Sequence, residues 1–290
     1  VIQRVGDGIA LRIDGQDLDA PTAGPVQATL SGNAAISNAG TVQSNTNGPI
    51  HLAAGDMYGL ALLNSGTIRS AGGSVELSAR GGAIHNEASG VVTTASSSGS
   101  GGDISINAPA LVNRGMIDAS TSSFVTGNSA GDIDIDTFSN ALFTDGSNLR
   151  ATANFAGDGG EIDVVASNGT VTFAEGSTAH AKGGLIGGDG GLVRISGEQV
   201  AYYATTKVGS SGGEDGRLQV NVDELFDVFT PTVTHNDPVF IADLRTPISV
   251  MSRVGDNVLN MFDGHVDLYS RDSVAVNSTF NLRNHDLTIS

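Results

Sequence analysis

Gly131-Asp132-Ile133-Asp134-Ile135 places a glycine ahead of two aliphatic residues separated by acids, and the same order returns in Gly160-Glu161-Ile162-Asp163-Val164. Working outward from this pair, the pattern of glycine, any residue, aliphatic, any residue, aliphatic recurs with its glycine at Gly48, Gly73, Gly102, Gly191 and Gly216. The successive glycine numbers differ by 25, 29, 29, 29, 31 and 25. Strict alternation is the period of a β-strand, whereas a helical bundle would need apolar spacings of three and four. Helix is therefore excluded over the first 220 residues. A fixed period with the motif always in phase calls for equal units stacked in register.

A second pattern fills the interval, with an apolar pair running into Asn, small residues and Gly before another β-branched or apolar pair. It reads Ile36-Ser37-Asn38-Ala39-Gly40-Thr41-Val42, then Leu63-Asn64-Ser65-Gly66-Thr67-Ile68, then Ile84-His85-Asn86, then Val112-Asn113-Arg114-Gly115-Met116-Ile117. Each unit thus holds two or three short strands broken at Gly, Asn and Ser corners, where φ > 0 is expected. The expected fold is all-β: a right-handed parallel β-helix (β-solenoid) with a less regular C-terminal part. Asn38, Asn64, Asn86 and Asn113 fall at equivalent corners, so their amides are expected to form a structural ladder along the rod.

Composition agrees with a narrow aliphatic core. The chain of 290 residues has 40 Gly, no Cys, no Trp and 5% aromatic residues. Without cysteine there is no thiolate nucleophile, no Cys-ligated metal and no disulfide, so folding must rest on repeated backbone pairing. Lys and Arg total 14 against 31 Asp and Glu, a formal charge of -17. That balance opposes attraction to nucleic acid or anionic lipid, so no nucleic-acid partner and no membrane insertion are expected. No apolar stretch approaches about 18 residues. With Val1 at its head and no basic-then-apolar leader, the chain is expected to have been processed from a longer one.

The corners of the Asn-Ser-Gly-Thr-Ile type, the Ser-Val-Glu-Leu-Ser-Ala stretch at 74–79 and Gly190-Gly191-Leu192-Val193-Arg194-Ile195-Ser196-Gly197 resemble the repeat region of filamentous-haemagglutinin-type proteins, over about residues 30–220. The resemblance implies a right-handed β-helix exported by two-partner secretion, with a secreted or cell-surface location and a role in adhesion or matrix. The chain departs from that family in lacking a clear Asn-Pro-Asn-Gly element; Asn45-Thr46-Asn47-Gly48 is a distant echo.

In-register stacking would align the outward residues of the Gly motif into a column of His51, Glu76, Ser105, Asp134, Asp163, Arg194 and Gln219. Asp134 and Asp163 would face each other one rung apart, with Asp132 and Glu161 as a second pair. Oxygen clusters of this kind suit a hard cation such as calcium, the one cofactor the sequence admits. The competing readings are a solvated acidic face, partly neutralised by Arg194, and a pair of catalytic carboxylates at glycosidase spacing. The Asp of Ala156-Gly157-Asp158-Gly159-Gly160 and of Gly187-Gly188-Asp189-Gly190-Gly191 falls once per rung, which favours corner turns over tandem calcium loops. Tyr202 and Tyr203 offer either a sugar-stacking platform or packing.

Residues 1–220 are read as β-helix rungs, 221–262 as a loop or insertion with short helical turns at 248–253 and 257–262, and 263–290 as resumed short rungs. With no convergent catalytic set, the expected function is a structural or adhesive shaft, not an enzyme. Its expected partners are a glycan or other cell-surface ligand. Two alternatives stand beside it: a subunit polymerising end to end through uncapped rungs, and a polysaccharide-cleaving β-helix.

Overall fold

The structure, a computed structural model, describes residues 34–44, 47–55, 59–222, 263–270 and 286–289 in full, and the strands Ile2–Val5, Gly8–Ile13, Phe226–Phe229, Ser252–Gly255 and Val274–Val276 as backbone. Every described element is a strand, and the strands stack in parallel as a β-solenoid. From Ile50 to Lys207 the chain makes six turns that each carry three faces. On the first face Ile50–Ala54, Val75–Ala79, Ile104–Ala108 and Ile133–Thr137 pair in turn, followed by the first part of Glu161–Phe173 and of Leu192–Tyr202. The second face runs from Leu60–Asn64 to the last residues of Leu192–Tyr202, and the third from Thr67–Ser70 to Thr205–Lys207.

Alternation converts this register directly into a core. Ile50, Val75, Ile104, Ile133, Ile162 and Val193 are successive partners on the first face, and all are buried. Ile68, Val92, Ile117, Leu149 and Ala179 form the matching column of the third face. Each such Ile, Val or Leu contributes about 1.5–3 kcal/mol of burial. A one-residue slip would turn a whole column to solvent, so the period of the sequence enforces the register.

The glycine heading each motif copy has a different cause from the one expected. None of Gly73, Gly102, Gly131, Gly160, Gly191 and Gly216 has φ in the left-handed region. Instead, a Cβ on Gly131 would collide with the Gly102 carbonyl, one on Gly160 with that of Gly131, and one on Gly191 with that of Gly160. The turns approach too closely there for any side chain. Positive φ does occur at the corners entering the third face, at Gly146 (79°) and Gly176 (83°) of successive turns. There Ser147 and Ser177 donate backbone N–H bonds to the carbonyls of Thr144 and Ala174 at 3.0 and 3.2 Å.

Beyond the sixth turn, strand order departs from chain order. Arg217–Val222 continues the first face and is followed there by His265–Ser270 and Leu287–Ile289. On the second face, Ser252–Gly255 pairs with Ala201 and Tyr202, and Phe226–Phe229 lies on its far side, paired also with Val274–Val276. The earlier strand therefore sits one rung further along than the later one. The segment expected to be a loop contributes two strands to the sheet, and Ser252 and Arg253, the end of the helical turn expected at 248–253, lie in the extended strand Ser252–Gly255. The turn expected at 257–262 lies outside the described residues. At the other end Ile2–Val5 pairs antiparallel with Gly8–Ile13, which in turn pairs in parallel with Ile50–Ala54.

Candidate functional site

The first face presents its outward residues at one-rung intervals. Asp134 is the register partner of both Ser105 and Asp163, and Asp163 of Arg194, so the acids of the motif do form a column. Within it, charge is largely matched by charge. His51 Nδ1 lies 2.5 Å from Glu76 Oε2. Arg194 Nη1 bridges Asp163 Oδ2 and Glu161 Oε1, each at 2.7 Å, and Arg217 Nη1 reaches Asp267 at 2.5 Å.

Asp132 and its equivalents act on the backbone. Its Oδ1 accepts the Glu161 N–H at 2.7 Å, as Asp103 accepts the Asp132 N–H at 3.1 Å one turn earlier. The glycine-loop acids do the same: Asp158 Oδ1 accepts from the Asp189 N–H and Asp189 Oδ1 from the Glu214 N–H, both at 2.8 Å. Each of these carboxylates satisfies an amide that opens the following turn, and a charged acceptor roughly doubles such a bond.

Asp134 is left among like charges. Burial first, and then Asp136, Asp163 and Asp132, push its carboxyl above the ordinary range. Glu161 and Asp163 are also raised, chiefly by burial, with Arg194 opposing the rise in both. Asp163 Oδ1 is buried without a hydrogen bond. The structure thus brings Asp132, Asp134, Glu161 and Asp163 onto one face but commits two to Arg194 and one to a backbone amide. Among the described residues, no group of three or more His, Asp or Glu is arranged to hold a metal ion. Beside the column runs an open groove of about 570 Å³, floored by Gly159, Gly160, Gly190 and Gly191 and edged by Glu214 and Arg217.

The Asn residues form a ladder inside the rod. Asn38 Nδ2 donates to Asn64 Oδ1, Asn64 Nδ2 to Asn86 Oδ1 and Asn86 Nδ2 to Asn113 Oδ1, each at 2.8 Å. Above Asn113 the same column continues as Phe143, Phe173 and Tyr202. The two phenyl rings stack with centroids 4.0 Å apart and the third ring tilts at 4.9 Å. Tyr202 is fully buried, its hydroxyl 2.5 Å from Thr206 Oγ1, so it packs in the core and leaves no sugar platform at that position.

Sequence reasoning missed a row on the third face. Arg150, His180 and Lys207 are register partners on three consecutive turns, and Lys182 follows two residues after His180. Lys182 and Lys207 are the only two lysines in the 290 residues, a clustering that was legible in the sequence. Burial first, then Lys207, Arg150 and Lys182, push the His180 imidazole down to about 4. Comparison with protein families, curated proteins and solved structures finds no match.

Proposed function

We propose that the chain is the shaft of an extracellular bacterial surface protein of filamentous-haemagglutinin type, holding other parts of its polypeptide away from the cell and offering its flanks for adhesion. The observation that carries this reading is the parallel stacking of six turns from Ile50 to Lys207, whose register shifts only locally at Leu60–Leu62 and Ala166–Thr170, around a continuous buried core. Such a body resists bending because every rung is tied to its neighbours by backbone bonds and a continuous column of side chains. The charged residues of the first face support the same reading, since Asp132, Asp158 and Asp189 serve the scaffold itself. The family resemblance of residues 30–220 supplies the location. The antiparallel strand Ile2–Val5 along the edge of Gly8–Ile13 favours a shaft over head-to-tail stacking of like rungs.

The test is labelling of intact producing cells with antibody raised against the purified chain, alongside electron microscopy of the protein. Surface labelling before permeabilisation and discrete rods are expected. Labelling only after permeabilisation would sink the surface location, and continuous filaments from the purified chain would replace the shaft by a polymer.

A further inference from the structure

We propose that the corner between the third and first faces is a docking surface for a bilayer carrying anionic lipid. Two independent features meet there. The first is apolar: Phe124 (79% exposed), Val125 (60%), Leu185 (68%) and Ile186 (63%) project from the corner loops that follow the third and fifth turns. Phe155, in the loop between them, joins the group into one strip. Its ring meets Phe124 edge-on with centroids 5.4 Å apart, and its carbonyl accepts the Ile186 N–H at 2.9 Å. A contiguous apolar patch on an otherwise polar, acidic surface marks an interaction site.

The second feature is the cation row of Arg150, His180, Lys182 and Lys207. It climbs the same turns, with Lys182 three residues before Leu185 and Arg150 five before Phe155. Among the described residues, Arg150, Lys182 and Lys207 make no side-chain hydrogen bond or ion pair, whereas Arg114, Arg194 and Arg217 are all paired with carboxylates. The acids facing the row are Asp118, the register partner of Arg150, and Asp263 and Asp215, which line one hollow with Lys182 and accept the Val208 and Ser210 N–H groups at 2.9 and 2.8 Å.

Together these make an apolar strip flanked by cations, the arrangement by which interfacial proteins place side chains at the acyl boundary and basic groups against anionic headgroups. The net charge of -17 opposes such a contact for the chain as a whole. Screening confines exposed charges to about 8–10 Å, however, so a bilayer at this corner meets the cation row ahead of the first-face column. The exposed carboxylates bordering the strip, Asp158 and Asp189, lie three residues beyond Phe155 and Ile186 and are held to the Asp189 and Glu214 amides. The contact is peripheral, with no segment crossing the bilayer, and it does not depend on the shaft reading.

The experiment is co-sedimentation of the whole chain with vesicles of phosphatidylcholine alone and of mixed phosphatidylcholine and phosphatidylglycerol, at low and high salt. Binding to the mixed vesicles alone is expected. Lys182→Gln and Lys207→Gln should each weaken it about fivefold. Phe124→Ser combined with Leu185→Ser should remove the part that survives high salt. Phe124, Leu185 and Lys207 are exposed and Lys182 is half-buried, and circular dichroism verifies that the variants keep their strands. No vesicle binding at low salt, or equal binding by every variant, would overturn the proposal. So would binding to a soluble anionic polysaccharide but not to vesicles, or a dimer in sedimentation velocity that Phe124→Ser dissolves.

Discussion

Asn113 and Phe143 are register partners on successive turns, and between them the buried second-face column changes from hydrogen-bonded amides to stacked rings. Both solutions repeat one side chain on itself, but by different physics. An amide carries one donor and one acceptor along the axis and so can continue indefinitely. A ring fills more volume and leaves nothing to satisfy. Phe173 lies between Phe143 and Tyr202, so Phe173→Ala opens a cavity flanked by two rings and should cost about 3–5 kcal/mol. Phe173→Leu, which keeps most of the volume, should cost less than about 1.5 kcal/mol. Urea denaturation measures both, and equal losses would show that the stack is not packed as described.

The glycine column gives a sharper contrast. A Cβ on Gly160 meets the Gly131 backbone, while one on Gly187 meets nothing within 4 Å and needs no positive φ. Gly160→Ala should therefore lose about 1–3 kcal/mol through forced separation of two turns. Gly187→Ala should stay within about 0.5 kcal/mol of the parent. A thermal melt of the two variants checks this, and a harmless Gly160→Ala would mean that the turns are further apart than the backbone places them.

Much of this architecture was legible because the repeat is strict. The seven copies of the glycine motif name the first-face column residue by residue, from His51 through Asp134 to Gln219, and the register follows that order. What alternation cannot encode is the identity of a side chain's partner. Asp132 looks like one half of an acidic pair in sequence, yet its partner is the Glu161 amide, a group every residue carries. Tyr202 lies in a strand whose phase is readable, but its burial follows from Phe173 beneath it, and Phe173 stands where earlier turns have Asn. The swapped order of Phe226–Phe229 and Ser252–Gly255 escaped notice because a repeat search presumes that chain order and stacking order agree.

The amide ladder predicts a positional effect. Asn86 both accepts from Asn64 and donates to Asn113, so Asn86→Ala strands a buried donor and a buried acceptor. Asn38→Ala strands one buried group, the Asn64 acceptor, because the Gly40 N–H that Asn38 Oδ1 also accepts belongs to an exposed residue and turns to water. At about 1–3 kcal/mol for each unsatisfied group, the interior variant should lose roughly twice as much as the terminal one. Because Asn64 and Asn86 share a bond, the double alanine variant should lose less than the sum of the singles. Chemical denaturation of the three variants decides the matter, and simple additivity would contradict a continuous ladder.

Acid stability turns on two opposing sets of groups. His180 titrates near 6.5 when unfolded, but burial and its cationic neighbours hold it at about 4 in the fold. Between those values the unfolded chain takes up a proton that the folded chain refuses, so stability is complete above pH 6.5 and is lost as pH falls towards 4. A shift of that size corresponds to about 3 kcal/mol in full, and solvent reaching the partly exposed ring reduces it to roughly 1–2 kcal/mol. Asp134, Glu161 and Asp163 act in the opposite sense. Their folded pKa values are raised, so the fold takes up protons first and gains stability as pH falls from neutrality towards the ordinary carboxylate range. In the parent protein the two trends oppose each other. His180→Gln removes the histidine loss and leaves the carboxylate gain, so on acidification from pH 7 to 5 its melting temperature should rise relative to that of the parent. Adding Asp134→Asn to that variant should raise stability at pH 7 and flatten the rise. A His180→Gln profile superimposable on the parent would show that the ring is protonated as readily in the fold as in the unfolded chain.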